Sequence, residues 1–314
     1  MINKLKLKTL MLQPEKVINP IFLAEHERNE YESMAFNGFR YDFKNQLIIV
    51  DHIISKIPVK GKAILETGFG DGVVLAVLSK IGARCYGVDI SKGRFKKAEL
   101  LFKLMNVKPM VKYCTMTDIS YEDSTFDLVI AISTLEHVAQ RGIQPEIFTV
   151  PKNSDNVLLE KAVKEIARVL KPGGNALIQI PNGRSILQLI VESHHKLPFL
   201  PIMPRWLAVW YVTKITKKDP FYQVGSYIGY NRITALFNKY NLNMANISIN
   251  PERCEVLEKM NNPKLYKLRI FQLIAFICKV TGITSEIIRP IIYSNFYLKY
   301  ISYVYTFWLT KKSA

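Results

Sequence analysis

The sequence predicts an α/β chain built on an open, mostly parallel sheet that helices wind on both sides. Residues 63–91, AILETGFGDGVVLAVLSKIGARCYGVDIS, read as strand, glycine turn, helix and strand, the order of a βαβ unit. Further apolar runs near 110–114, 128–132 and 175–180 alternate with stretches of helical periodicity at 92–104 and 157–170, as parallel strands with crossover helices do. The helical stretch 157–170 carries Leu158, Leu159, Ala162, Ile166, Val169 and Leu170 on one face. It is stopped by Lys171, Pro172, Gly173 and Gly174, residues that end a helix and turn the chain back into a strand.

The first crossing holds the ligand chemistry. Ala63, Ile64 and Leu65 run into Glu66, then Gly68, Gly70 and Gly72 stand at alternate positions before the apolar helix from Val73. Glycines at such a turn allow positive φ and let a ligand approach without a Cβ in the way. Asp89 ends the second strand, where a carboxylate can accept from both ribose hydroxyls of a nucleoside. Its distance along the chain from Glu66 fits the roughly 20 residues expected between such strand ends. A dinucleotide fingerprint would read G-x-G-x-x-G and offer a pyrophosphate the bare start of a helix, but Val73 stands where the last glycine belongs. Glu66 and Asp71 would also repel a phosphate. The turn E-x-G-x-G-x-G instead resembles motif I of the class I S-adenosylmethionine-dependent methyltransferases, which implies a Rossmann-like fold and S-adenosyl-L-methionine as cofactor.

Taken in order, residues 15–60 read as helices, with Ile48, Ile49, His52, Ile53, Ile54 and Ile57 at helical spacing before Pro58. By the resemblance such helices cover the cofactor and give Tyr31, Phe39, Tyr41 and Phe43 a lid role; aromatic side chains taken singly are more often core. Beyond the third strand, TDISYEDSTFDLVIAISTLEHV matches the family a second time. The resemblance implies that Asp118 accepts from the adenine amino group and that the Ile119 amide contacts the ring. Asp127, in F-D-L-V, reads as a structural residue. Ser133 and Leu135 would lie along the methionine moiety, with Phe69 and Ile90 completing the cofactor set. His137 would face the junction of cofactor and acceptor, and Glu136 reads as a helix-surface or loop-ordering residue. The L-K-P-G-G turn, apolar strand and I-P-N at 180–182 are a third match, to the type 11, ubiquinone-biosynthesis-like branch that acts on small molecules and lipid quinones.

The match covers about residues 60–182 and implies a sheet of about seven strands. Residues 231–250 read as the next helix and a sixth strand, and 300–312 as a seventh, antiparallel one. The chain divides on this reading into a helical lead and lid (1–58), the cofactor-binding core (59–183), an aromatic and basic insertion over the acceptor site (184–228), the last helix and strand six (229–250), an apolar basic helical insertion (251–299) and the final strand (300–314). In the first insertion, prolines make an irregular loop around Pro198 to Pro204 before a short helix with Trp206, Trp210 and Tyr211. In the second, a helix over 264–279 would gather Lys264, Lys267, Gln272 and Lys279 on one side. It could be buried, pair with another chain or lie in a membrane interface.

The net charge of +17 favours anionic partners: nucleic acid, anionic lipid or phosphorylated intermediates. The four cysteines lie far apart with no C-x-x-C pair, which suggests neither a zinc site nor a disulfide framework, and no metal is expected. The N-terminal MINKLKLKTLMLQPEK lacks the apolar core of a secretory leader, and no uncharged run reaches the ~18 residues of a spanning helix. The expected setting is cytoplasmic, peripheral at the inner face of a membrane.

Methyl transfer needs an acceptor lone pair in line with the S–CH3 bond, and a hydroxyl or enol acceptor must also lose a proton. Histidine suits that task near neutral pH; His137 is the candidate base, with His194 and His195 in the first insertion. The leading expectation is O- or C-methylation of a hydrophobic or lipid-linked small molecule. Three rivals stand beside it: methylation of a surface-glycan precursor, RNA methylation, and a non-catalytic partner protein of the same fold. Nucleic acid is the weaker partner, because Ser133-Thr134-Leu135-Glu136 replaces the N-P-P-Y type of amino-group site and the cations are interleaved with aliphatic runs.

Overall fold

The computed structural model describes residues 46–138, 155–190, 197–216, 228–247, 296, 300, 302 and 304–313. The expected lid aromatics Tyr31, Phe39, Tyr41 and Phe43, both His194 and His195, and the helix over 264–279 lie outside the described residues.

Among the described residues there are seven strands: β1 (Ala63–Thr67), β2 (Arg84–Asp89), β3 (Met110–Tyr113), β4 (Phe126–Ile132), β5 (Leu170–Pro181), β6 (Leu242–Ile247) and β7 (Val304–Lys311). They form one sheet in the order β3-β2-β1-β4-β5-β7-β6. β1 pairs in parallel with β2 on one side and β4 on the other, and β2 pairs in parallel with β3. The chain therefore winds outward from β1 to β3 and returns to the far side of β1, which makes the carboxyl ends of β1 and β4 the topological switch point where ligands bind in open α/β sheets.

The described helices are α1 (46–56), α2 (Val73–Lys80), α3 (Lys92–Leu104), α4 (Leu135–Val138), α5 (Asp155–Val169), α6 (Ile186–Ile190), α7 (Arg205–Thr216) and α8 (Tyr230–Lys239), with a 3-10 turn at Leu200–Ile202. The glycine turn and its flanking elements fall where the sequence puts them, and α3 starts at Lys92 with the Ser91 hydroxyl accepting from the Arg94 amide.

Two boundaries differ from expectation. β7 begins at Val304 rather than at Tyr300, which is helical. β5 begins at Leu170 rather than near Asn175. The Ser124 and Thr125 amides donate to the carbonyls of Arg168 and Val169. The terminal carbonyls of α5, which would otherwise lack partners, are thus satisfied from the segment before β4, and the chain passes directly into extended backbone.

The chain forms two compact units: residues 1–131, 164–176 and 311–314 in the first, and 132–163 and 177–310 in the second. In the first, every residue of β1 is buried, as is typical of a central parallel strand, and α2 buries Val73 to Leu78 without a break. Asp127 closes the base of this unit, accepting from the Ala63 amide at 2.9 Å, Lys171 at 3.0 Å and Lys62 at 3.4 Å. Burial alone would push its pKa up, but the Ala63 amide and the two lysines hold it below the usual carboxylate range. Its structural reading stands on those three partners.

In the second unit, Phe237 of α8 meets Phe307 of β7 edge to face with centroids 5.2 Å apart. The Asn182 side chain donates to the Ser302 carbonyl at 2.8 Å and accepts from the Arg184 amide at 3.0 Å. Asn182 is wholly buried. The I-P-N sequence thus anchors the exit of β5 to the segment that leads into β7.

Candidate functional site

In the first unit the glycine turn is shaped by two close approaches. Gly70 and Gly72 both have positive φ, at +55° and +76°, and a Cβ on either would stand 2.8 Å from Arg94 Nη1 or 2.7 Å from the Phe102 ring. No other residue fits either position without displacing a neighbour. Gly72 is also the N-cap of α2, so the turn delivers the chain straight onto a helix start. Gly68 donates its amide to the Val88 carbonyl at 2.7 Å, which binds the turn to β2.

Asp89 is brought directly to that turn. Its carboxylate is 8% exposed; one oxygen accepts from the Gly70 amide at 2.9 Å and the other from the Ser91 amide at 2.8 Å. A carboxylate oxygen has two lone-pair sites, so each retains acceptor capacity while the group is held in one orientation. Ile90 follows, half-buried.

Glu66, at the end of β1, is 5% exposed, and its Oε2 has no hydrogen-bonding partner among the described residues. Burial and the nearby charge of Asp89 raise its pKa well above the usual carboxylate range, while a hydrogen bond from the Leu75 backbone opposes them. Phe69 turns inward instead of toward a ligand. It is buried, stacks edge to face with Phe95 at 4.9 Å, and occupies the space that a side chain at Gly87 would fill. Any ligand contact at Phe69 is therefore a backbone contact.

Asp118 is exposed after β3. Ile119 departs from its expected role: its amide donates to Glu165 Oε2 at 2.8 Å, and its side chain is buried. The N–H is committed to the protein and leaves no donor for an adenine ring. The cause is a network on α5 that the apolar periodicity of that helix did not reveal. Arg168 donates to both oxygens of Glu165, to Asp123 at 2.6 Å, and to the carbonyls of Tyr121 and Ile119 at 2.9 and 2.8 Å. Burial would raise the Glu165 pKa, but Arg168 and the Ile119 amide hold it below the usual range. The loop carrying Asp118 is thus clamped by one guanidinium fork. The sequence signal was Glu165-x-x-Arg168, an i,i+3 pair of opposite charge.

The second unit opens with the segment that follows β4. Ser133 is exposed and has φ +49°, with its amide donating to the Gln179 carbonyl at 2.9 Å. A non-glycine residue in that region is uncommon and concentrates at functional sites. Leu135 is fully buried, and His137 is half-buried with its amide on the Thr134 carbonyl at 3.0 Å. Glu136 is not on a helix surface. It is fully buried on α4, and neither carboxylate oxygen has a hydrogen-bonding partner among the described residues. Burial pushes its pKa up to about 8, with its own backbone amide opposing.

Residues 65–178 match the family described as "Methyltransferase domain". Over these residues the chain carries a methyltransferase domain. Among curated proteins it is similar to a ubiquinone biosynthesis O-methyltransferase of Alkalilimnicola ehrlichii, 27% identical over 46% of this chain and 52% of that one. It is also similar to a sterol 4-C-methyltransferase of Caenorhabditis elegans, 28% identical over 40% of this chain and 34% of that one. The chain spans about half the length of the curated relatives it matches first. Among solved structures, a S-adenosylmethionine-dependent methyltransferase of Clostridium acetobutylicum is similar at a TM-score of 0.39 and 18% identity, over 50% of this chain and 60% of that one.

Such a domain implies S-adenosylmethionine as cofactor. The residues present suit it: a buried carboxylate oxygen on Glu66 without a partner among the described residues, a turn of positive-φ glycines with no room for a Cβ at Gly72, and an oriented Asp89 with acceptor capacity to spare.

Proposed function

We propose that this chain transfers a methyl group from S-adenosylmethionine to an oxygen or carbon of a hydrophobic or lipid-linked small molecule, working at the cytoplasmic face of a membrane. The observation that carries the reading is the Gly70–Asp89 hydrogen bond at 2.9 Å, which joins the glycine turn to the carboxylate that a nucleoside ribose requires.

When bound, the cofactor supplies a sulfonium methyl that passes to the acceptor lone pair as its bond to sulfur breaks. Asp89 would hold the ribose hydroxyls and the Asp118 carboxylate the adenine amino group. The backbone from Gly68 to Gly72 and Glu66 would hold the methionine half; Ile90, Ser133 and Leu135 are the remaining cofactor-binding candidates. His137 takes the acceptor proton where the acceptor is a hydroxyl or enol. Ile119 packs the loop and donates nothing to the ring, because Glu165 holds its amide. The relatives' names support small-molecule methylation, one at an oxygen and one at a sterol carbon. The apolar aromatic insertion at 197–216 supports an acceptor of low polarity.

The test is to incubate the protein with labelled S-adenosylmethionine and fractionated cell extract. Label in the lipid fraction is the expected outcome; label in glycan or RNA would overturn the acceptor class. Equilibrium dialysis checks the site independently: Asp89→Ala weakens S-adenosylmethionine binding by about tenfold or more, and a wild-type chain that binds none would overturn the enzyme reading.

A further inference from the structure

In the second unit, Leu200, Ala208 and Val212 form a buried cluster against which Leu197, Met203 and Tyr211 pack. This anchors one side of α7 and the 3-10 turn before it. Placed at 100° per residue, Trp206, Trp210, Thr213 and Lys214 fall within about 100° of arc on the side away from Ala208 and Val212. Trp206 is 73% exposed and Trp210 56%. On the adjoining turn Ile202 is 65% exposed and Phe199 57%, the latter with φ +62°. A bulky residue in that left-handed region is an outlier; here its backbone amide donates a hydrogen bond to the Leu189 carbonyl at 2.7 Å while the ring stands exposed. Single exposed apolar side chains are ordinary, but four large ones on one short hairpin of structure are not.

The charge along this stretch of sequence names the occupant. From His194 to Lys218 the sequence carries Lys196, Arg205, Lys214, Lys217 and Lys218 and no aspartate or glutamate, in a chain of net charge +17. Indoles beside lysines are the chemistry of a bilayer interface, where amphipathic rings sit at head-group depth and cations meet anionic phosphate. Among the described residues no helix is long and apolar enough to cross a membrane, so contact through this face is from one side.

We propose that the face formed by Phe199, Ile202, Trp206 and Trp210 docks onto an anionic phospholipid bilayer, with the indoles inserted at head-group depth. The proposal rests on the membrane-surface part of the function above and names the surface that makes the contact.

Flotation with vesicles of mixed phosphatidylglycerol and phosphatidylcholine, and of phosphatidylcholine alone, tests it, together with indole fluorescence. The wild-type chain floats with the anionic vesicles at low salt, is released at high salt, and shows a blue shift and quenching by bromine-labelled lipid. Trp206→Ser/Trp210→Ser, which keeps only Trp308 of the three tryptophans, loses the shift and partitions about tenfold or more weakly. Its S-adenosylmethionine affinity, measured by dialysis, stays at the wild-type value and shows that the fold survives. Equal flotation of the double variant, or equal binding to phosphatidylcholine alone, would overturn the proposal. So would a wild-type dimer that ignores vesicles and becomes a monomer in the double variant, since the face would then meet a second copy. Methyl transfer to detergent-dispersed lipid is assayed alongside: its survival without vesicle binding removes docking alone, and vesicle binding without cofactor binding removes the enzyme reading alone.

Discussion

Glu136 and His137 are neighbours on one turn of helix, yet their surroundings assign them different work. Burial holds the Glu136 carboxyl neutral up to about pH 8, against an ordinary carboxylate value of 4.5. A folded-state pKa raised above the unfolded one contributes stability that is complete below pH 4.5 and lost as pH rises through about 8. The size of that loss is roughly 3–5 kcal/mol. Urea midpoints of the wild-type chain should therefore fall across this window, and Glu136→Gln, which cannot ionise, should flatten the slope whatever its absolute stability. For His137 the expectation concerns rate. As the general base, its replacement by glutamine lowers kcat by about 10²–10⁴-fold and removes the acid limb of the pH–rate profile, with cofactor affinity unchanged. An unaltered profile would take the base role from it.

At the scale of elements, α5 shows how a helix read as a core element can also fix the loop beside a site. Its apolar face was legible from Leu159, Ala162 and Ile166 at helical spacing, all fully buried. The clamp that Arg168 makes was not, because it joins carbonyls at 119 and 121 to a side chain more than forty residues later. Arg168→Ala should destabilise the fold by about 1–3 kcal/mol and weaken cofactor binding through the Asp118 loop. It should also flatten the acid side of the stability curve. Glu165 has a depressed pKa, so its contribution is present above the ordinary value of 4.5 and is lost as pH falls through the folded value. Urea titrations of both chains from neutral to acid pH check the point. The glycine turn was legible because its constraints are local: three positive φ angles and three absent Cβ atoms within five residues of chain.

For the whole molecule, the charge of +17 is the property that no single element carries. Like charges repel across a compact fold, and salt shortens the reach of that repulsion from about 10 Å at 0.1 M to about 3 Å at 1 M. The thermal midpoint should rise with sodium chloride, by roughly 2–4 °C for each ~1 kcal/mol relieved. A midpoint that falls instead would mean that local pairs such as Arg168–Asp123 and Lys171–Asp127 outweigh the net charge. The strand order, with β7 between β5 and β6, also belongs to this scale, since pairing partners so far apart in the chain leave no local pattern.

The sequence by itself determined the α/β class, the glycine turn with Glu66 and Asp89 at its ends, and the methyltransferase family. Each of these is written in neighbouring residues through period, turn chemistry or spacing. Only the tertiary structure decided that Phe69 faces inward, that Glu165 holds the Ile119 amide, that Glu136 is buried without a partner among the described residues, and that Trp206 and Trp210 stand exposed. Those depend on which distant side chains arrive beside a residue, and burial and hydrogen-bond partners are properties of that meeting.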